Sequence, residues 1–249
     1  MLIESVKNQK VKDWKKLQSK KGREKASAFL IEGPHIVEEA AKANALVTEV
    51  ILSEGSEFEV NLFKDQPKVY TVTEKVMKEI TATETPQGII AVCEMTESVI
   101  EDKGKFILLD AIQDPGNLGT IIRTAHSAGY DGVLLGNGTV DLYNSKVLRS
   151  TQGSLFHIPI KKVDLQEAVQ DFNNAGLSIY ATEVSGGTPY NQLQGPEHFA
   201  IIMGNEANGV SKDLQELAHE KVYIPIYGGA ESLNVAVAAG ILMYGLLPS

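Results

Sequence analysis

Residues 224–249 read IPIYGGAESLNVAVAAGILMYGLLPS. Ile224-Pro225-Ile226 predicts the end of a strand, Gly228-Gly229 a loop, and residues 235–247 a helix apolar on nearly every side. A helix of that kind is normally buried, and its first turn offers free backbone N–H groups. Ser232 is a candidate cap. Ser232 and Asn234 then sit where a polar ligand can be held beside apolar surface. Two other segments repeat the design of a strand end, a glycine- and amide-rich loop and a helix start. One is Asp110-Ala111-Ile112-Gln113-Asp114-Pro115-Gly116-Asn117-Leu118-Gly119, leading to Arg123. The other is Met203-Gly204-Asn205-Glu206-Ala207-Asn208-Gly209-Val210-Ser211.

Working outward, residues 105–249 alternate strand and helix. Strands are expected at 106–109, 132–135, 155–160, 177–182, 199–203 and 222–226. Helices are expected at 117–128 and 141–150, with another opened by Asp164 and closed by Gly176. Such alternation means βαβ units around a mainly parallel sheet, with ligands at the carboxyl ends of the strands. Residues 1–97 read as a small α/β domain, with strands at 29–33, 47–52, 69–71 and 88–94 and helices at 34–43 and 73–81. The polar stretch 98–104 reads as a linker.

Composition narrows the function. Among 249 residues there is one cysteine, Cys93, so neither an internal disulfide framework nor a multi-cysteine metal site can form. That suits a reducing cytoplasm. No apolar h-region opens the chain, and residues 235–247 are too short to span a bilayer, so no membrane partner is expected. The five histidines are scattered without metal spacing, and no metal is expected. No Walker A motif, GxSxG elbow or GxGxxG fingerprint is present. The net charge is −9, yet residues 1–25 hold nine lysines and arginines against three acids. Charges beyond a Debye length are screened, so this arm can touch phosphate although the body is acidic. A solvated basic helix satisfies the same pattern. Arg123 lies off the apolar stripe of its helix, as either a solvated arginine or a charge at the ligand end of the sheet.

The three loops together resemble the SpoU (TrmH-like) family of RNA 2′-O-ribose methyltransferases, in the SPOUT superfamily. The matching segments are 114–119 with Arg123, Gly204-Asn205-Glu206 with Gly209, and Ile224-Pro225-Ile226 through Ser232-Leu233-Asn234 to Gly240. Lys146 to Pro159, with Arg149, Ser150 and Gly153, is similar to the family's intermediate segment. Residues 1–97 more loosely resemble its N-terminal substrate-binding domain. The third segment departs from the pattern, since many relatives have Met after the proline and a shorter run to the serine.

The resemblance implies an α/β fold whose C-terminal sheet carries a deep trefoil knot, preceded by a small α/β substrate-binding domain. It implies S-adenosylmethionine as cofactor, held by Met203, Gly204, Asn205, Ile224, Pro225, Leu233 and Asn234. It implies methyl transfer to a ribose 2′-hydroxyl, with Arg123, Asn117, Glu206, Ser232 and Asn234 as catalytic residues. Arg123 is either the base or an electrostatic stabiliser of the alkoxide. Glu206 is a second candidate proton acceptor. Lys15, Lys16, Lys20, Lys21 and Arg23 are the candidate RNA contacts. A cytoplasmic homodimer acting on ribosomal RNA is expected. The alternatives are a tRNA 2′-O-methyltransferase and a non-catalytic RNA-binding or ribosome-assembly factor on the same fold.

Overall fold

The computed structural model describes residues 2–193 and 195–248. They form two compact units: residues 2–96 with 141–157, and residues 97–140 with 158–248.

The first unit is a five-stranded mixed sheet built from β1 (Leu2–Ile3), β2 (Ala28–Glu32), β3 (Val47–Ser53), β4 (Lys68–Val72) and β5 (Ile89–Glu94), in the order β1-β4-β3-β5-β2. β5 is buried on both faces, and its two-residue period divides the core. Ile89, Ala91 and Cys93 join Phe29, Ile31, Ile36, Val37 and Ala40 on one side. Ile90 and Val92 join Val11, Trp14, Val76, Met77 and Ile80 on the other. α1 (Gln9–Lys16), α2 (Lys20–Ala26), α3 (Pro34–Lys42) and α4 (Glu74–Ile80) complete the layers. Burial pushes the Cys93 thiol well above its ordinary range, so it serves as packing.

The second unit is an all-parallel seven-stranded sheet. Its strands are β6 (Lys105–Leu109), β7 (Gly132–Leu135), β8 (Ile160–Lys162), β9 (Ser178–Thr182), β10 (Thr188–Pro189), β11 (Phe199–Met203) and β12 (Glu220–Tyr223), in the order β10-β12-β9-β11-β6-β7-β8. β11 is thus inserted between β6 and β9. The helices are α5 (Pro115–Ser127), α7 (Leu165–Ala175), α8 (Lys212–Leu217) and α9 (Val235–Gly245); α6 (Ser145–Thr151) belongs to the first unit. α7 and α8 bury Leu165, Val169, Phe172 and Leu214 against one sheet face, and α5 packs beside α9.

Three expectations need correction. Residues 141–157 pack in the first unit instead of continuing the second. Leu148 lies in the Phe29–Ile31 core, Arg23 pairs with Asp141, and His157 meets Glu39 at 2.9 Å. The strand expected at 155–160 is instead a 3-10 turn over Ser154–Phe156, followed by a short strand beginning at Ile160. Arg23 is not a surface cation. It is 6% exposed, and its Nη1 donates to the carbonyls of Leu17 and Gln18 at 3.0 Å each. With its charge matched by Asp141, it is a buried structural arginine and is unavailable to phosphate.

Candidate active site

The loops after β9, β11 and β12 meet at the carboxyl ends of those strands, where ligands enter a parallel sheet. They enclose a cavity of 830 Å³, within the roughly 300–1,000 Å³ of small-molecule sites. Six of the seven residues expected to hold the cofactor line it: Met203, Gly204, Asn205, Ile224, Leu233 and Asn234. Pro225 does not. Glu206 and Ser232, expected in catalysis, also line it, whereas Asn117 and Arg123 do not.

The wall at Gly204 is set by backbone. A Cβ there would come within 2.1 Å of both Gly209 C and Val210 N, so only glycine allows the loop to fold back on itself. Asn205 and Gly209 close that loop through paired backbone hydrogen bonds of 3.0 and 2.9 Å. The Asn205 amide donates to the Ala111 carbonyl at 2.8 Å, and the Ser211 N–H donates to Asp110 at 2.8 Å. The loop after β11 is therefore tied to the loop after β6.

Glu206 makes the principal clamp. One carboxylate oxygen accepts from the Asp114 N–H and the Asn117 side-chain amide, both at 3.1 Å, and the other from the Gln113 N–H at 3.2 Å. Because a carboxylate only accepts, Asn117 must present its NH₂ to Glu206 and its oxygen elsewhere. That oxygen accepts from the Asn234 amide at 3.0 Å. The Asn234 oxygen in turn accepts from the Ala236 and Val237 N–H groups at 3.0 and 3.3 Å. A directed chain thus runs from a fixed anion through two amides to the first turn of α9. Asn234, not Ser232, is the cap of that helix. Ser232 remains on the exposed loop at the cavity wall.

Burial raises the Glu206 pKa, but donors from Asn117, Asp114 and Gln113 outweigh it, and the net value lies below the ordinary 4.5. A carboxylate held anionic by three donors is a poor proton acceptor at neutral pH. Its part is to position Asn117 and Asn234. Glu206→Gln should lower turnover about tenfold, the effect of losing hydrogen bonds to a charged group worth about 1.5 kcal/mol. The clamp's contribution to stability is complete above 4.5 and is lost as pH falls below it, through the depressed folded value. The wild-type melting temperature should therefore converge on that of Glu206→Gln in acid. A gap independent of pH would overturn this role.

Arg123 stands apart. It is exposed on α5, and among the described residues its guanidinium has no hydrogen-bond or ion-pair partner. Six residues beyond Asn117, it is roughly 9 Å along the helix and about 120° from it. One chain therefore assembles Asn117, Glu206 and Asn234, with Ser232 nearby, but leaves Arg123 outside the cluster. Among the basic arm's lysines, Lys15 pairs with Glu79 at 2.5 Å, Lys16 with Asp13 at 2.7 Å and Lys20 with Glu24 at 3.9 Å. All are surface pairs. Lys21 is exposed and unpaired among the described residues.

Several contributors escaped the sequence reading. Asp114 caps α5 by accepting from the Asn117 N–H at 2.9 Å, with Pro115 opening the helix. That signal is legible as an acidic cap followed by proline. Glu183 and Glu231 also line the cavity. As isolated acids in loops, they carry no local signal.

Known proteins bear on this site. The SpoU rRNA methylase family model matches residues 104–244, and an MRM3-like substrate-binding domain model matches residues 8–91. The 23S rRNA (guanosine(2553)-2′-O)-methyltransferase RlmP of Bacillus subtilis is 49% identical over 244 residues, covering 98% of each chain. An AdoMet-bound rRNA methyltransferase from Sinorhizobium meliloti superposes with a TM-score of 0.90 at 31% identity, over 99% of this chain and 97% of that one. The SpoU methyltransferase AviRb of Streptomyces viridochromogenes, in complex with AdoMet, gives 0.83 at 25% identity, over 96% and 97%. With a family model covering more than half of its length and a relative 49% identical over 98% of it, the chain belongs to the SpoU rRNA methylase family.

Proposed function

We propose that this protein is an S-adenosylmethionine-dependent 2′-O-ribose methyltransferase acting on 23S ribosomal RNA. The observation that carries the reading is the Glu206–Asn117–Asn234 chain, which joins all three motif segments beside the cavity. The cofactor fits the residues present. Glu183, Glu206 and Glu231 line the cavity, and none of the described lining residues is Lys, Arg or His. That electrostatic character complements a molecule with sulfonium and ammonium charges. Apolar Met203, Val222, Val235 and Leu242 also line the space. Met203, Gly204, Asn205, Ile224, Leu233 and Asn234 would hold the cofactor, which supplies an electrophilic methyl group.

The protein's own work is placement. Holding an oxygen and a methyl carbon in attack geometry can remove about 7–11 kcal/mol of barrier. Asn117 and Asn234, fixed by Glu206, orient the rim, and Ser232 offers a hydroxyl beside them. Arg123 stabilises the developing alkoxide while the hydroxyl proton passes to solvent water, since a free guanidinium is a poor base at neutral pH. Because Arg123 lies off the cavity of its own chain, we place the complete site at a homodimer contact. Val237 and Tyr244, 53% and 54% exposed on α9, give that contact an apolar surface beside α5. The insertion of β11 between β6 and β9 supports a knotted path in the second unit. Because its proposed substrate is ribosomal RNA, we place the enzyme in the cytoplasm; among the described residues no helix is long and apolar enough to cross a membrane.

The test is a map of 2′-O-methylated positions in total RNA from cells with and without the protein. One 23S rRNA position should lose its methyl group. An unchanged map would refute the enzymatic reading, and loss confined to tRNA would favour the tRNA alternative. The basic arm is tested separately. Neutralising Lys15, Lys16, Lys20 and Lys21 should weaken RNA binding and flatten its dependence on salt by up to about four counterions. An unchanged slope would make the arm a solvated helix.

A further inference from the structure

The first unit contains a second, smaller cavity of about 70 Å³, with every lining residue inside that unit. Leu30, Ile36, Ile90 and Leu148 give it apolar walls, and Arg23, Tyr143, Ser145 and Arg149 bring polar groups to it. Arg23 is 6% exposed. Two of its guanidinium nitrogens are satisfied by Leu17, Gln18 and Asp141, but its Nε is buried with no partner. A buried unpaired donor costs about 1–3 kcal/mol and calls for an explanation. The half-buried Arg149 guanidinium and the hydroxyls of Tyr143 and Ser145 also lack hydrogen-bond partners among the described residues. Glu32, the carboxylate in the lining, is already committed. It accepts from the hydroxyls of Thr81 and Thr83 and from the Ala82 N–H.

The cavity therefore offers unused donors, the Arg149 guanidinium and the Arg23 Nε among them, inside apolar walls. A hydrated phosphate would meet Glu32 and lose its water to aliphatic carbon. The edge of a planar heterocycle presents carbonyl and ring-nitrogen acceptors, while its faces are satisfied by apolar contact. We propose that this cavity receives the edge of one unpaired base of the RNA substrate, with its acceptors on Arg149 and the Arg23 Nε. The small volume suits part of one base, not a whole nucleotide. The proposal rests on the reading that the chain acts on RNA, and it assigns a base-reading role to the α6 segment inserted between β7 and β8.

The test uses the full-length protein with 23S rRNA from cells lacking it. Arg149→Ala should weaken RNA binding about tenfold and raise KM to match. Turnover at saturating RNA, S-adenosylmethionine affinity and melting temperature should stay unchanged. Ser145→Leu, which fills the space without touching a charge, should do the same. Nucleoside 5′-monophosphates should shift the NMR signals of Tyr143 and Arg149 saturably, and inorganic phosphate should not. Equal shifts from phosphate would make this an anion site and overturn the proposal, as would wild-type RNA affinity in both variants. No methylation by the wild type, with RNA binding still dependent on Arg149, would refute the enzymatic reading and leave the base pocket standing.

Discussion

Replacing Arg123 with alanine should lower the rate of methyl transfer by about two to three orders of magnitude, the usual effect of removing one group that stabilises a developing oxyanion. S-adenosylmethionine affinity should not change, because Arg123 does not line the cavity. Fold stability should also hold. The side chain is exposed, and among the described residues its guanidinium has no partner; surface substitutions of this kind stay within about 0.5 kcal/mol. This separation makes the experiment decisive, since lost activity with intact cofactor binding and melting temperature cannot arise from unfolding. Single-turnover methylation of 23S rRNA and a calorimetric titration with S-adenosylmethionine read the two quantities. Arg123→Lys discriminates further. It keeps the charge but loses the planar fork, so an electrostatic role predicts partial activity. Normal turnover in Arg123→Ala would remove this residue from the chemistry.

The contrast between Arg123 and Arg23 shows where sequence stops informing. Both are arginines in helical segments, and periodicity marks neither as core. Arg23 is buried because Asp141, 118 positions away, matches its charge and two carbonyls at the end of α1 take its donors. Nothing local encodes that pairing. The loops are legible for the opposite reason, since strand ends, glycines and helix starts leave short-range signatures. Even there, choosing between neighbouring caps needs geometry. Ser232 and Asn234 both suit the N-terminus of α9, and only the bonds that the Asn234 oxygen accepts from the Ala236 and Val237 N–H groups show that Asn234 occupies it. Leu155-Phe156 followed by Ile158-Pro159-Ile160 reads as a strand because short apolar runs do not distinguish strand from turn. The strand order is beyond local reading altogether, since placing β11 between β6 and β9 depends on long-range pairing.

Gly204→Ala should have the complementary phenotype, losing the cofactor before chemistry can begin. A Cβ at this position meets backbone, at 2.1 Å from Gly209 C and Val210 N and 2.5 Å from Gly209 O. Flexible side chains can yield to such a clash, but this backbone cannot easily do so. Asn205 and Gly209 hold it through two mutual hydrogen bonds, and the Asn205 side chain ties it to the Ala111 carbonyl. Overpacking of this kind costs about 1–3 kcal/mol. If the strain is relieved by opening the loop at the cavity wall, cofactor affinity should fall by about 10- to 100-fold. Gly209 supplies the control. It sits at φ +69°, and a Cβ there would find nothing within 4 Å, so its constraint is conformational and asparagine tolerates it best. Gly209→Asn should therefore bind S-adenosylmethionine within a few-fold of wild type, while Gly204→Ala does not. Equal affinity in both variants would mean that the turn after β11 is not a wall of the cofactor site, and the assignment of Met203, Gly204 and Asn205 would fall with it.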